Sequence, residues 1–364
     1  MSDSRFFVDP DIRKASTLPA EFYSDTEIWE SAKESVFGSS WQWIGDSDPV
    51  KIPGQVWPFT LLPGVLDEPL LLTRDSKDQL RCLSNVCTHR GMLVCEGAGN
   101  ERYLRCRYHG RRFGLDGQFQ HMPEFEGVEG FPTEADHLPQ VPLEAFGPYL
   151  FTSLTPVAPF SEVFGPIVDR LGWLPLHEFR YVPEESRDYV VKSHWALYVD
   201  NYLEGFHIPF IHAALNETVD YDTYATELYP YANLQLAESK DGQGVFDLPP
   251  SSPDFGRAIS AYYWWVFPNL MLNFYPWGLS VNVVRPLAQD LTRVSFIRYV
   301  WGDRKPEGGA GADLDRVERE DEVVVEAVQR GLRSRYYDRG RFSPLREIGT
   351  HHFHRLLAES IRTK

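Results

Sequence analysis

Cysteine is scarce, with four residues in a chain of 364. That is too few for a disulfide scaffold, so the expected setting is a reducing cytoplasm in which each cysteine needs its own reason. Basic charge is also short: 36 Lys and Arg stand against 52 Asp and Glu, a formal net charge of −16. A surface so acidic repels phosphate backbones and anionic lipid alike, which argues against nucleic-acid or membrane partners. No secretory leader is evident, since Asp3, Arg5 and Asp9 precede any apolar run. The glycines of Gly308-Gly309-Ala310-Gly311 read as a flexible loop and match no G-x-G-x-x-G fingerprint. No directly bound flavin or nicotinamide is therefore expected. Residues 258–284 lack charge altogether, over more than the ~20 residues that span a bilayer. Pro268, Asn269, Pro276 and Gly278 interrupt that stretch, and its aromatic and β-branched content suits two buried strands joined by a Pro/Asn turn.

What is present organises into about two domains at ~150 residues each. Residues 1–40 read as a polar lead-in and a helix that packs on the second domain, with Ser24-Asp25-Thr26-Glu27 as its capping region. Residues 41–156 read as a small all-β domain, with strands at Leu70-Leu71-Leu72-Thr73 and Leu80-Arg81-Cys82-Leu83 and a hairpin signal at Leu115-Asp116-Gly117-Gln118. Pro156-Val157-Ala158-Pro159 is the exit linker. Residues 157–364 mix helices near 200–206 and 314–334 with strands at about 260–300.

Within the β domain, Cys87-Thr88-His89 is followed after sixteen residues by Cys106-Arg107-Tyr108-His109. Two thiolates and two imidazoles can hold a tetrahedral zinc, or a [2Fe–2S] cluster with the cysteines on one iron and the histidines on the other. Each half carries a nearby glycine, Gly91 and Gly110, where a tight loop needs conformational freedom. Zinc pairs come more often as Cys-x₂₋₄-Cys with His-x₃₋₅-His. Cys-x-His with Cys-x-x-His resembles the Rieske family. That resemblance implies a cluster held by Cys87, His89, Cys106 and His109. Respiratory-chain Rieske proteins brace the cluster with a disulfide; here Met92 and Tyr108 stand at the corresponding positions, so Tyr108 and the loop backbone are expected to brace it. Cys82 and Cys95 are left as buried small hydrophobes.

A second constellation is Asp200-Asn201-Tyr202-Leu203-Glu204-Gly205-Phe206-His207-Ile208-Pro209-Phe210-Ile211-His212. On a helix Glu204 and His207 share a face. His207 and His212 would lie about 140° apart, so they converge only if the helix breaks, and Pro209 is there to break it. Two histidines around a breaker resemble the start of a 2-His-1-carboxylate iron site. On the helix near 314–334, Leu314, Val317, Val324, Val325, Val328 and Leu332 form an apolar face. Asp321 falls near its centre, with Glu318, Glu320 and Glu322 about 65° or more away. A lone carboxylate on a core face is costly unless something binds it, which selects Asp321 as the third metal ligand.

Glu-x-x-His-x₄-His beside a Rieske motif resembles the catalytic subunit of Rieske-type non-heme iron oxygenases. The resemblance covers nearly the whole chain. It implies an α+β fold, in which an all-β Rieske domain is joined to a catalytic domain whose antiparallel sheet wraps around helices (helix-grip, Bet v 1-like). It implies a mononuclear Fe(II) beside the [2Fe–2S] cluster, O₂ as co-substrate, and a separate NAD(P)H-dependent reductase acting directly or through a ferredoxin. Against a net charge of −16, that reductase is expected to present a basic face. The resemblance also gives Glu204 the task of linking His207 to His109 of a neighbouring protomer, in a homotrimer. The Asn-Tyr-Leu-Glu context looks like the branch that oxidises choline, carnitine or betaines, and Tyr262, Tyr263, Trp264, Trp265, Phe274, Tyr275 and Trp277 supply aromatic faces for a quaternary ammonium. Hydroxylation of an aromatic ring is the alternative; a Rieske electron carrier and a zinc-stabilised binding protein are alternatives of other classes. Asp200 is expected either to tune the iron site or to cap the helix. His351, His352 and His354 read as a solvated or capping face, and His121, His137, His177 and His194 receive no role.

Overall fold

The computed structural model describes residues 4–212, 225–304 and 314–362; the Gly308–Gly311 loop lies outside the described residues. Contacts divide the chain into two units, 38–157 and the combination of 1–37 with 158–364.

In the first unit, β1 (Gln42–Asp46), β10 (Leu143–Phe146) and β11 (Tyr149–Thr152) form one small sheet. A five-stranded sheet is built from β2 (Gln55–Leu61), β3 (Glu68–Arg74), β4 (Leu80–Ser84), β5 (Gly99–Asn100) and β9 (Gln140–Val141). Its central strand β3 buries Leu70, Leu71 and Leu72 in succession, as a strand covered on both faces must. The third sheet holds β6 (Leu104–Arg105), β7 (Arg112–Phe113) and β8 (Phe119–His121), with Gly117 at positive φ in the β7–β8 hairpin. Val56, Leu71, Leu83, Leu104 and Phe113 pack into one core that also takes in Cys87 and Cys106. Cys82 is buried as expected; Cys95 is only half-buried, with its Sγ 3.2 Å from the Gly97 carbonyl.

The second unit opens with α1 (Thr26–Ala32), whose N-cap Asp25 accepts from the backbone N–H groups of Glu27 and Ile28. Its remaining α-helices among the described residues are α2 (Phe160–Leu171), α3 (Trp195–Tyr202), α4 (Ile208–Ile211), α5 (Leu314–Gly331) and α6 (Ile348–Arg362). The sheet is antiparallel and eight-stranded: β12 (Phe179–Tyr181), β13 (Arg187–Val191), β14 (Ala225–Tyr229), β15 (Ala232–Glu238), β16 (Ile259–Val266), β17 (Leu270–Tyr275), β18 (Gly278–Ala288) and β19 (Leu291–Trp301). Residues 258–284 give three strands rather than two. A second hairpin turns at Pro276-Trp277, and Gly278 is required there because a Cβ would meet the Tyr299 carbonyl oxygen at 2.2 Å.

Directly opposed residues share a face, so the register separates the two sides of this sheet. Leu234, Leu236, Tyr262, Trp264, Leu272, Phe274 and Val281 occupy one side; Tyr262 packs on Phe246, which packs on Trp173. The other side carries the row Gln235, Tyr263, Asn273, Ser280 and Arg298. It faces α3 and α6: Gln235 Nε2 donates to the Tyr202 carbonyl, Tyr202 Oη donates to Asn273 Oδ1 at 2.6 Å, and Trp265 packs on Phe353 of α6. The aromatic run is thereby split. Tyr262, Trp264 and Phe274 face away from α3 and α6, and Trp277 is stacked on Tyr275 with the Arg298 guanidinium 4.9 Å from its ring centre. Among the described residues no helix is long and apolar enough to cross a membrane.

His194, given no role in sequence, is buried as the N-cap of α3, accepting from Ala196 N–H. Burial pushes its pKa down to about 3, and that of His352 down to about 4. Both rings stay neutral in the fold and titrate near 6.5 once unfolded, so the unfolded state takes up the extra protons. Their stability contribution is whole above pH 7 and falls as pH drops through 6.5, by about 1.4 kcal/mol per pH unit for each ring. Urea midpoints measured between pH 8 and 5 should decline in that window, and His194→Gln should flatten the decline.

Candidate active site and cluster loops

The two Cys/His segments fold into matching turns. Cys87 N–H bonds the Met92 carbonyl and Gly91 N–H returns to the Cys87 carbonyl; Cys106 and Gly110 repeat the pattern with Arg111. Gly91 and Gly110 both sit at positive φ, which closes each loop four residues after its cysteine. His89 and His109 lie side by side with ring centres 4.8 Å apart, and Tyr108 stacks on His109 at 3.7 Å. Burial raises the Cys87 thiol pKa, and neighbouring Cys106 adds to the effect. Two adjacent buried thiols become thiolates when a metal takes up their charge.

The second constellation forms by a different local route from the one expected. Helix α3 ends at Tyr202, and the break falls across residues 203–207 rather than at Pro209. Pro209 instead sits in the first turn of α4, where its missing N–H costs nothing. The reversal brings His207 and His212 to ring centres 5.1 Å apart. Asp321 reaches them from α5: its Oδ1 lies 3.0 Å from His212 Nε2 and 3.5 Å from His207 Nε2. The ligand atoms of these three residues all fall within 4.8 Å of one another, as binding of one ion requires.

Each imidazole presents Nε2 to this point and hands its other nitrogen to a carboxylate. His207 Nδ1 meets Glu204 Oε1 at 2.7 Å, and His212 Nδ1 meets Glu320 Oε2 at 2.8 Å. Glu204 Oε2 also accepts from the backbone N–H groups of Phe206 and His207, which fixes the turn. Asn201 Nδ2 donates to Asp321 Oδ1 at 2.7 Å. The His212 side chain is 1% exposed; burial opposes its charged form, but bonds to Asp321 and Glu320 outweigh that and raise its pKa. The bond from His212 lowers that of Glu320.

Several expectations need correction. The buried stripe of α5 runs through Glu318, Val325 and Gln329, while Val328 is 44% exposed. Polar residues lie on that stripe because they have partners: Glu318 accepts from Tyr198 Oη, and Gln329 accepts from His194 N–H. The Asp200 carbonyl accepts from the Leu203 N–H at the end of α3, while its side chain turns to other partners. That carboxylate accepts from His354 Nε2 at 2.9 Å and from Tyr23 Oη at 3.2 Å. The His351-His352-Phe353-His354 run is no solvated face: His351, Phe353 and His354 are buried, and His354 Nδ1 accepts from Leu18 N–H.

Residues 177–363 match the family described as ring hydroxylating alpha subunit (catalytic domain), and residues 40–132 match the Rieske [2Fe-2S] domain. The chain is a Rieske-type non-heme iron oxygenase. Its cofactors are accordingly a Rieske [2Fe–2S] cluster and a mononuclear iron. Chloroplastic choline monooxygenase of Arabidopsis thaliana is 30% identical over 97% of the chain and 85% of the relative. The carnitine monooxygenase oxygenase subunit of Escherichia coli K12 is 28% identical over 95% and 94%. In fold the oxygenase superposes on a quaternary ammonium Rieske monooxygenase crystallised with L-carnitine, at TM-score 0.74 and 24% identity over 97% of each chain. It also superposes on a naphthalene 1,2-dioxygenase with indole bound, at TM-score 0.71 and 18% identity over 96% and 92%. The α+β architecture read from the sequence is therefore that of Rieske oxygenases, and such enzymes draw electrons from a separate reductase or ferredoxin.

Proposed function

We propose that this oxygenase oxidises a quaternary-ammonium substrate of the choline, carnitine or betaine type at a carbon next to nitrogen. In this reading residues 41–156 form the cluster domain, with Cys87 and Cys106 on one iron and His89 and His109 on the other. Residues 157–364 form the catalytic domain, with the helical segment 1–40 packed on it. His207, His212 and Asp321 hold the mononuclear iron, and the observation that carries this is the convergence of their ligand atoms within 4.8 Å. Such an iron, fed with electrons from the cluster, supplies O₂ activation. The chain's own residues orient the site: Glu204 and Glu320 fix the two imidazoles, Asn201 fixes Asp321, and burial of His212 keeps water from one flank.

In this reading Glu204, bonded to His207 Nδ1, links it to His109 of a neighbouring protomer. Phe206 and Phe210, beside His207, are 42% and 78% exposed, and Tyr108, beside His109, is 55% exposed. A homotrimer in which the cluster loops of one copy cover Phe206 and Phe210 of the next removes both aromatic patches from water.

The substrate assignment rests on relatives named for choline and carnitine that match over nearly the whole chain. The helix-facing side of the sheet suits such a molecule. Tyr263 and Tyr275, in edge contact at 5.9 Å, stand there beside Gln235, Asn273 and Ser280, a mix of aromatic and polar groups that suits a cation better than a hydrocarbon. With a surrogate reductase and NADH in a cytoplasmic-type reducing buffer, oxygen uptake should match product formation with carnitine, choline or a betaine. Benzoate and naphthalene should give background. Coupled uptake on the aromatic compounds alone would overturn the substrate reading.

A further inference from the structure

We propose that Glu320 is a positioning residue of the iron site, fixing His212 as an Nε2 ligand and slowing loss of the metal. The proposal rests on the reading that His207, His212 and Asp321 ligate the iron.

An imidazole binds a metal through a nitrogen lone pair, so its proton must sit on the other nitrogen. A carboxylate only accepts hydrogen bonds. Glu320 Oε2, 2.8 Å from His212 Nδ1, therefore holds the proton there and leaves Nε2 for the metal, on the side where Asp321 Oδ1 lies at 3.0 Å. Consecutive residues of α5 thus bracket one ring, Glu320 at one nitrogen and Asp321 at the other. One rigid helix sets both the carboxylate ligand and the group that orients the neighbouring histidine.

Glu320 is itself held. Arg316, one turn earlier on α5, donates from Nε to Glu320 Oε1 at 3.0 Å. The resulting chain is Arg316–Glu320–His212, running from a side chain 59% exposed to one 1% exposed. Glu204 bonds His207 Nδ1 in the same way but is itself held by backbone N–H groups of its own turn. The two histidines therefore depend on separate supports, and loss of Glu320 should loosen His212 while leaving the Glu204–His207 pair in place.

The test follows the mononuclear iron rather than turnover. Holoenzyme and the variants E320Q, E320D, R316Q and D321A are mixed with a ferrous chelator, and iron release is timed while the visible bands of the cluster serve as internal standard. E320Q should release the mononuclear iron about 10- to 100-fold faster than the parent, the usual effect of removing an outer partner of a ligating histidine. E320D, which keeps the charge at shorter reach, should fall between them, and R316Q should show a smaller acceleration. The electron paramagnetic resonance signal of the ferrous nitric oxide adduct should shift in E320Q. Release from E320Q within about twofold of the parent, or E320D no slower than E320Q, overturns the proposal. Should E320Q lose its cluster bands through misfolding, R316Q decides, and an unchanged release rate there overturns it. Release from D321A as slow as from the parent would instead refute the iron site itself, not the role of Glu320 alone.

Discussion

His207→Ala should abolish substrate oxidation while leaving the visible spectrum of the Rieske cluster intact. In the proposed assignment the two metal sites use residues from separate parts of the chain, Cys87, His89, Cys106 and His109 for one and His207, His212 and Asp321 for the other. Removing an imidazole from the second leaves two protein ligands, and a ferrous ion so held is lost or misplaced. Metal assistance is worth several kcal/mol of barrier, so turnover should fall by about 10³-fold or more. Steady-state oxygen uptake against product formation reads the loss, and the cluster spectrum reports folding of the rest. Turnover surviving at even a tenth of the parent's rate would exclude His207 from the iron site.

Glu204→Gln should separate electron delivery from iron binding. The glutamine keeps the size of the side chain but replaces a carboxylate at His207 Nδ1 by an amide and removes the charge that the proposed trimer sets between His207 and His109 of a neighbouring protomer. Both metal sites should still fill. Single-turnover reoxidation of the reduced cluster in the presence of substrate should slow by about 10- to 100-fold, in line with other partners of ligating histidines. Glu204→Asp, which keeps the charge, should retain more activity than the glutamine. Equal rates in parent and Glu204→Gln would confine Glu204 to holding its own turn through Phe206 and His207 N–H.

What could be read in the sequence was what is encoded over short spans. Cys87-x-His89 and Cys106-x-x-His109 each occupy one turn, closed by a glycine four residues after the cysteine, so spacing alone carries their geometry. His207 and His212 were readable as a pair for the same reason, although the break that brings them together lies at 203–207. Asp321 was legible as a carboxylate where an apolar residue belongs. Glu320 was not, because a helical wheel describes only the helix that carries it. The residue became relevant only because the ring of His212 is turned so that its second nitrogen meets α5. The stripe through Glu318 and Gln329 is hidden from the sequence likewise: its partners Tyr198 and His194 come from more than a hundred residues earlier. The run from His351 to His354 looked like a solvated helix end because its partners, the Asp9 carbonyl, Leu18 N–H and Asp200, are brought to it only by the fold.

One chain of this oxygenase is expected to hold two iron sites of different kinds. Iron and acid-labile sulfide counted per chain in anaerobically purified protein, beside the His207→Ala variant, test it most directly. The parent should carry the two irons and two sulfides of the cluster plus one further iron, and the variant the cluster complement alone with the same visible bands. Zinc in a colourless parent, or a further iron retained undiminished by the variant, would contradict it.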